Sequence, residues 1–472
     1  PSSSSAASDV YKRQVHLQLN GYLVSNPVNA ISPLDGRYHN KTELLRPYFS
    51  ESALIKYRIQ VEIEYLISLS KEKKIPELKP FNEKEEKRLR NIYLNFSVDD
   101  ALDVKSIEKT TNHDVKAIEY FLQKKIKKSI HPWIHFCLTS EDVNNLSYSL
   151  MWMDALKGPY LTQLVSLNRS IRKLAKRYKK VPILSLTHGQ PATPSTFGKE
   201  YAVFFKRLDR QILQLKSHKF LGKFGGATGT WSAHETIYPK VNWLNFAKKF
   251  IRSMGLEPNL ITTQIEPHDS IIESYHNILR INSILADLCQ DMWLYISRSI
   301  VKQKKLAGEI GSSTMPHKIN PIQFENAEGN FGISNAILEF LARKLAISRM
   351  QRDLTDSTTI RNQGVALAHS YISLISIASG LSRIDVDLEK TEKELNDHWE
   401  VLTEPMQTAI RKSGKESGYE QMMDLSRGKK IDESMIKDVI DKLKISEKDK
   451  KSLLKLSPSS YTGLAEKLTD LL

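Results

Sequence analysis

HDSIIESYHNILRINSILADLCQDMWLYISRSIVKQKKLA fills residues 268–307 and contains neither glycine nor proline. As one helix at 1.5 Å per residue it would run about 60 Å. Inside it Ile281, Leu285, Leu288, Met292 and Tyr295 recur at spacings of 4, 3, 4 and 3. That is a heptad-like apolar seam, and so long a helix needs long partners. An ordinary kinked core helix would also fit the pattern. Working outward, other Gly/Pro-free stretches cover 133–157, 160–181, 199–221 and 333–363 and could supply partners. The whole chain has only 20 Gly and 18 Pro in 472 residues, about 8% against an average near 12%. The fold expected is all-α, with a central multi-helix bundle.

Length gives a prior of about three domains. Pro76, Pro80 and the charged run 83–90 interrupt the N-terminal region, and a break lies around Gly380 to Asp387. The expected division is an N-terminal helical domain at 15–130, a central bundle at 131–381 and a C-terminal helical domain at 382–472. The last keeps helical periodicity at Ile436, Val439, Ile440 and Leu443. Residues 1–14, rich in Ser and Ala, read as a disordered cloning or translation leader.

The formal net charge is +15. That excess suits nucleic acid, an anionic surface or a small polyanion. The densest basic runs, 124–128 and 302–305, lack interleaved aromatics and read as solvated helix faces, so no nucleic-acid partner is expected. No run reaches 18 consecutive apolar residues, so no membrane span is expected. Cys137 and Cys289 are the only cysteines, which favours a reducing, cytoplasmic compartment. His131, His135 and Cys137 cluster without an evident fourth ligand, so no metal site is expected.

Several segments combine turn residues with reactive side chains. Gly311-Ser312-Ser313-Thr314-Met315-Pro316-His317-Lys318-Ile319-Asn320-Pro321 places hydroxyls beside a cation and an amide, and its prolines forbid a continuous helix. An N-cap and a turn would explain Ser312 but not the whole set. Thr187-His188-Gly189-Gln190 offers an imidazole able to titrate near neutral pH. Thr110-Thr111-Asn112-His113-Asp114 and Thr139-Ser140-Glu141-Asp142 set hydroxyls next to carboxylates at helix starts, which ordinary capping also explains. Arg352 and Arg361 bracket a hydroxyl cluster that includes Ser357. They form a phosphate or carboxylate clamp, or else a salt-bridged helix face. Gly225-Gly226-Ala227-Thr228-Gly229 lacks the order of a dinucleotide loop.

The 311–321 segment resembles the signature of the fumarase/aspartase superfamily. Ser32-Pro33-Leu34-Asp35-Gly36-Arg37-Tyr38, the 110–120 and 139–146 segments, 187–194, 264–269 and 351–361 resemble its adenylosuccinate lyase family, of the longer bacterial type. The resemblance runs from about residue 28 to the C-terminus. It implies a three-domain all-α fold that forms a homotetramer around a helical core, with active sites shared between subunits. It implies β-elimination of fumarate from succinylated purine nucleotides, without a cofactor. By the same resemblance Ser312 is the general base and His188 the general acid. Lys318 would stabilise the base, and Glu325 would orient His188. Lys318, Asn320, Thr139, Ser140 and Gln264 would hold the succinyl end. Arg37, Tyr38, His113, Arg352, Ser357 and Arg361, with Asn112 and Asp114 beside them, would hold the nucleotide end. The segment around Ser312 is expected to act as a lid. A sibling lyase acting on argininosuccinate, aspartate or malate is the alternative.

Overall fold

The computed structural model describes residues 26–304, 308, 314–315, 317–414, 416, 418–426 and 431–472. The leader and Ser312 itself, and with them most of the expected lid, lie outside the described residues. The chain divides into two compact units.

The first unit gathers Pro1–Ala155, Leu221–Glu266 and Ser348–Ile372. Its central helix is α1, Glu51–Ser70, capped by the Ser50 hydroxyl accepting from the Ala53 amide. Ile55, Ile59, Ile63 and Ile67 fall four residues apart on α1 and are buried in one cluster with Val104, Ile118 and Phe121. Burying each such side chain contributes about 1.5–3 kcal/mol. Two helices of that cluster are punctuated by their own sequence. In α2, Val98–Thr111, Ser97 and Asp100 form a reciprocal capping box. It ends where Asn112 turns left-handed, at φ 50°, and His113 then caps α3, Asp114–Lys125. Helix α4, Ser140–Ala155, packs along α1.

The second unit gathers Leu156–Phe220, Pro267–Ile347 and Ser373–Leu472. It contains α5, Leu161–Arg177, the antiparallel hairpin β1 (Pro182–Thr187) and β2 (Gln190–Thr196), and α6, Phe197–Ser217. Then come α7, Asp269–Ser297, and α8, Ile322–Leu345. Helix α7 packs along both α6 and α8. Its seam is buried at Ile281, Leu285, Leu288 and Met292, with Tyr295 half-buried. The helix is shorter than its breaker-free sequence allows. It stops at Ser297, because Ser299 goes left-handed at φ 62° and Val301–Gln303 then pairs as a strand with Ile384–Val386. Absence of Gly and Pro permits a helix; it does not compel one. Conversely, α8 runs through Gly329 and Gly332 and ends at Leu345, inside the stretch expected to continue to 363.

A second cluster of this unit buries Leu395, Leu402, Met406, Ile410, Ile436 and Ile440. The helical periodicity read in the tail is therefore a packing face. The stretch Thr355–Ser382 is long and apolar enough to cross a membrane by length and composition, which counting consecutive apolar residues misses. Most of its apolar window, 78%, is buried inside the protein, as in a core helix.

Candidate active site

In the first unit one frame joins four of the motifs. It starts at the N-terminus of α4. Asp142, fully buried, forms an ion pair with Lys223 at 2.7 Å, and both side chains are 1% exposed. Its carboxylate also accepts from the amides of Gly225 and Gly226, each at 3.0 Å, and from that of Thr139 at 2.9 Å. The glycine loop thus gives two of its amides to a protein carboxylate. Gln264 closes the frame. Its side-chain amide donates to the Ala227 carbonyl at 2.9 Å, and its backbone amide donates to the Gln351 carbonyl at 3.3 Å. One residue on, Arg352 pairs with the buried Glu141 and donates to the Ser357 hydroxyl at 3.1 Å. Thr139, Ser140, Gln264, Arg352 and Ser357 are therefore brought together.

A second group in this unit is built on α1. Arg58, 2% exposed, pairs with Asp114 at 2.8 Å and donates to the Asn144 side chain at 2.8 Å. Arg361 reaches Asp114 at 3.3 Å and Glu51 at 3.1 Å. Burial pushes the Asp114 carboxyl up, but Arg58, the Val115 amide and Arg361 outweigh it and hold the pKa below the usual range. Both arginines of the expected clamp thus close on carboxylates of the chain. A cavity of about 120 Å³ opens beside Arg361, lined also by Ser50, Glu51 and Tyr148, well below the ~300–1,000 Å³ of ordinary ligand pockets.

His113 has a structural duty, since its Nδ1 accepts the Lys116 amide at 3.1 Å. Its side chain is nevertheless 53% exposed, beside Asp114. Arg37 is exposed and Tyr38 half-buried, in the turn that precedes the short helix His39–Thr42.

In the second unit, His188 and Gly189 form the two-residue tip of the β1–β2 hairpin, with φ of 53° and 74°. Positive φ at both positions matches the twist of the strands, and histidine tolerates that region better than most residues. The imidazole is thereby presented to solvent. Lys318 is exposed and Asn320 half-buried in the segment leading to α8. Glu325, in the first turn of α8, is exposed and accepts from the Trp293 indole at 3.1 Å.

The cysteine and histidine cluster has other partners. His131 contacts the Ile126 carbonyl at 3.1 Å, and His135 pairs with Glu62 at 2.5 Å. Among the described residues, no group of three or more His, Cys, Asp or Glu could hold a metal ion.

Comparison with known proteins reaches almost the whole chain. Residues 36–333 match the family described as Lyase, and residues 348–462 match the one described as Adenylosuccinate lyase C-terminal. The Haemophilus influenzae adenylosuccinate lyase is 47% identical over 448 residues, covering 94% of this chain and 98% of that protein. This chain belongs to the adenylosuccinate lyase family.

Its relatives are widely spread. The Escherichia coli enzyme of that name is 47% identical over 451 residues, with 94% and 98% covered. The Dictyostelium discoideum one is 47% identical over 456 residues, with 93% and 97% covered. The fold is shared with a solved fumarate lyase from a Mesorhizobium species, at TM-score 0.74 and 16% identity, covering 91% of this chain and 97% of that one. A 3-carboxy-cis,cis-muconate lactonizing enzyme from Pseudomonas putida gives TM-score 0.70 at 17% identity, covering 91% and 96%. Sequence reasoning toward this family's site passed over Arg58, Lys223 and Trp293. Lys223 had a signal: a lysine set between Phe220-Leu221-Gly222 and Phe224 is a charge in an apolar setting. Arg58 and Trp293 had none, because their partners are distant in sequence.

Proposed function

We propose that this chain eliminates fumarate from adenylosuccinate, giving AMP, and from the succinylaminoimidazole-carboxamide ribotide, giving the carboxamide ribotide. The observation that carries this is the near-full-length identity to enzymes of that name. The chemistry needs a base to take the proton from the carbon next to a carboxylate. That electron pair forms the new double bond as the C–N bond breaks, and an acid protonates the departing nitrogen. Ser312 is the base and His188 the acid. A serine hydroxyl is a weak base until its alkoxide is stabilised, and Lys318 supplies the cation. Donors aimed at the charge that builds on the carboxylate supply much of the rate. Glu325 orients His188.

Thr139, Ser140, Gln264, Lys318 and Asn320 take the succinyl carboxylates. Arg37, Tyr38, Asn112, His113, Asp114, Arg352, Ser357 and Arg361 take the nucleotide. The positive net charge collects this polyanion. The enzyme works in the cytoplasm as a homotetramer with sites shared between subunits. His188, Lys318 and Glu325 are all exposed in the single chain, whereas such chemistry gains from excluding water, which neighbouring subunits would supply.

The test is the absorbance change on mixing the protein with adenylosuccinate, repeated with Ser312→Ala and His188→Ala. Turnover by the wild type and its loss in both variants are expected. An inactive wild type that turns over argininosuccinate, aspartate or malate would overturn the substrate. A variant with normal turnover would overturn its residue's role.

A further inference from the structure

We propose that the neighbouring residues Glu141 and Asp142 are positioning residues that serve opposite ends of the substrate. Asp142 sets the groups for the dicarboxylate end, and Glu141 sets those for the nucleotide end. This rests on the adenylosuccinate reading above and concerns groups that all lie within the first unit.

Asp142 is saturated. One oxygen accepts from Lys223 at 2.7 Å and Gly225 at 3.0 Å, the other from Gly226 at 3.0 Å and Thr139 at 2.9 Å. A carboxylate offers about four acceptor sites, so none is left for substrate, and its effect must pass through what it holds. It holds Thr139 directly and the 223–229 loop by three contacts. Lys223 ties the loop to itself by donating to the Gly226 carbonyl at 2.8 Å. One turn along α4, Asn145 accepts the Lys223 amide at 2.8 Å and donates to the Lys223 carbonyl at 2.9 Å. The loop in turn seats Gln264 through Ala227 at 2.9 Å. The fit is close at Gly229 (φ 76°), where an added Cβ would come within 2.4 Å of the Thr262 carbonyl. Thr139 and Gln264, both assigned to the dicarboxylate, therefore hang from one buried anion.

Glu141 points to a different set. It is buried and paired with Arg352, whose other nitrogen donates to Ser357 at 3.1 Å and lies 3.8 Å from Asp356. Arg352 and Ser357 are both assigned to the nucleotide. Adjacent residues on a helix face different ways, so the N-terminus of α4 sends one carboxylate to each set.

The experiment runs the reaction in the direction of synthesis, from AMP and fumarate, with the full chain, and reads the two KM values separately. Asp142→Asn is expected to raise KM for fumarate about tenfold while KM for AMP stays within about twofold, and Glu141→Gln is expected to do the reverse. Asn145→Ala loosens the same loop without touching a charge. It is expected to give the fumarate-selective rise in weaker form, and it carries the test if Asp142→Asn does not fold. A merely structural role would move both constants together, and that result, or no change in either, overturns the inference. A wild type unable to join AMP and fumarate would overturn the functional reading as well. A working wild type with unselective variants overturns only the division between Glu141 and Asp142.

Discussion

The wall of paired charges built on α1 and α4 and the positions of His188, Lys318 and Glu325 are made on opposite principles. In the wall the charges are already answered: the buried Asp142 by the buried Lys223, the buried Glu141 by Arg352, and the half-buried Asp114 by the buried Arg58. At those positions the side chains proposed for the proton transfers are exposed, on a hairpin tip, a loop and the first turn of a helix. Groups that orient a substrate gain from rotamers locked in a core, because preorganised donors need no rearrangement when it arrives. Groups that exchange protons must be reachable, and a chain that leaves them exposed leaves their desolvation to closure or assembly.

The largest effect that would sharpen this contrast is kinetic. His188→Ala should lower kcat by about 10²–10⁴-fold while the thermal midpoint stays near wild type, since the tip is exposed. A midpoint that collapses with activity would make His188 part of the wall's kind of structure. On the wall the order reverses. Lys223→Met should cost about 3–5 kcal/mol by denaturant unfolding, because it strands a buried carboxylate. A loss below 1 kcal/mol would mean that the Asp142 site is hydrated rather than dry. Ile59→Ala, fully buried in the same unit, should cost about 2–5 kcal/mol without an ion pair being involved. It separates packing from charge.

Acid should also find the wall first. His234 is buried among Phe224 and Trp243, with Tyr65 at 3.2 Å. Burial chiefly, and Lys223 in part, push its pKa down to about 4 against some opposing pull from Asp142. The unfolded chain binds a proton on this residue below about pH 6.5 that the folded chain refuses until about 4. Its contribution is therefore whole above 6.5 and lost as the pH falls to 4, on the order of 3 kcal/mol at most. Urea midpoints at pH 7 and 5 should differ in the wild type, and by less in His234→Gln. An equal difference would remove His234 as the cause. The smallest effect belongs to the tip. Gly189→Ala meets no atom within 4 Å but keeps φ at +74°, so it should cost about 1 kcal/mol through backbone strain alone.

How much of this was legible depended on distance along the chain. The seam at Ile281, Leu285, Leu288 and Met292 could be read because a helix face is a local periodicity. So could the helix start at Asp114, although its cap is the His113 ring rather than a hydroxyl. The end of α7 at Ser297 could not, because it is decided by strand pairing with residues 384–386. The placing of His188 on a hairpin was likewise hidden in a sequence read as all-helical, although His-Gly between short strands is a turn signal.

Sequence by itself determined the class of fold and the family. It did so because helical periodicity and the signature segment are contiguous in the chain. Tertiary structure alone decided which charge answers which: that Lys223 meets Asp142 across a gap of 81 positions, that Arg58 and Arg361 share Asp114, and that two glycine amides face a carboxylate rather than a phosphate. Buried ion pairs are set by the shape of the packed core, and nothing local in the chain records which distant partner that shape will bring.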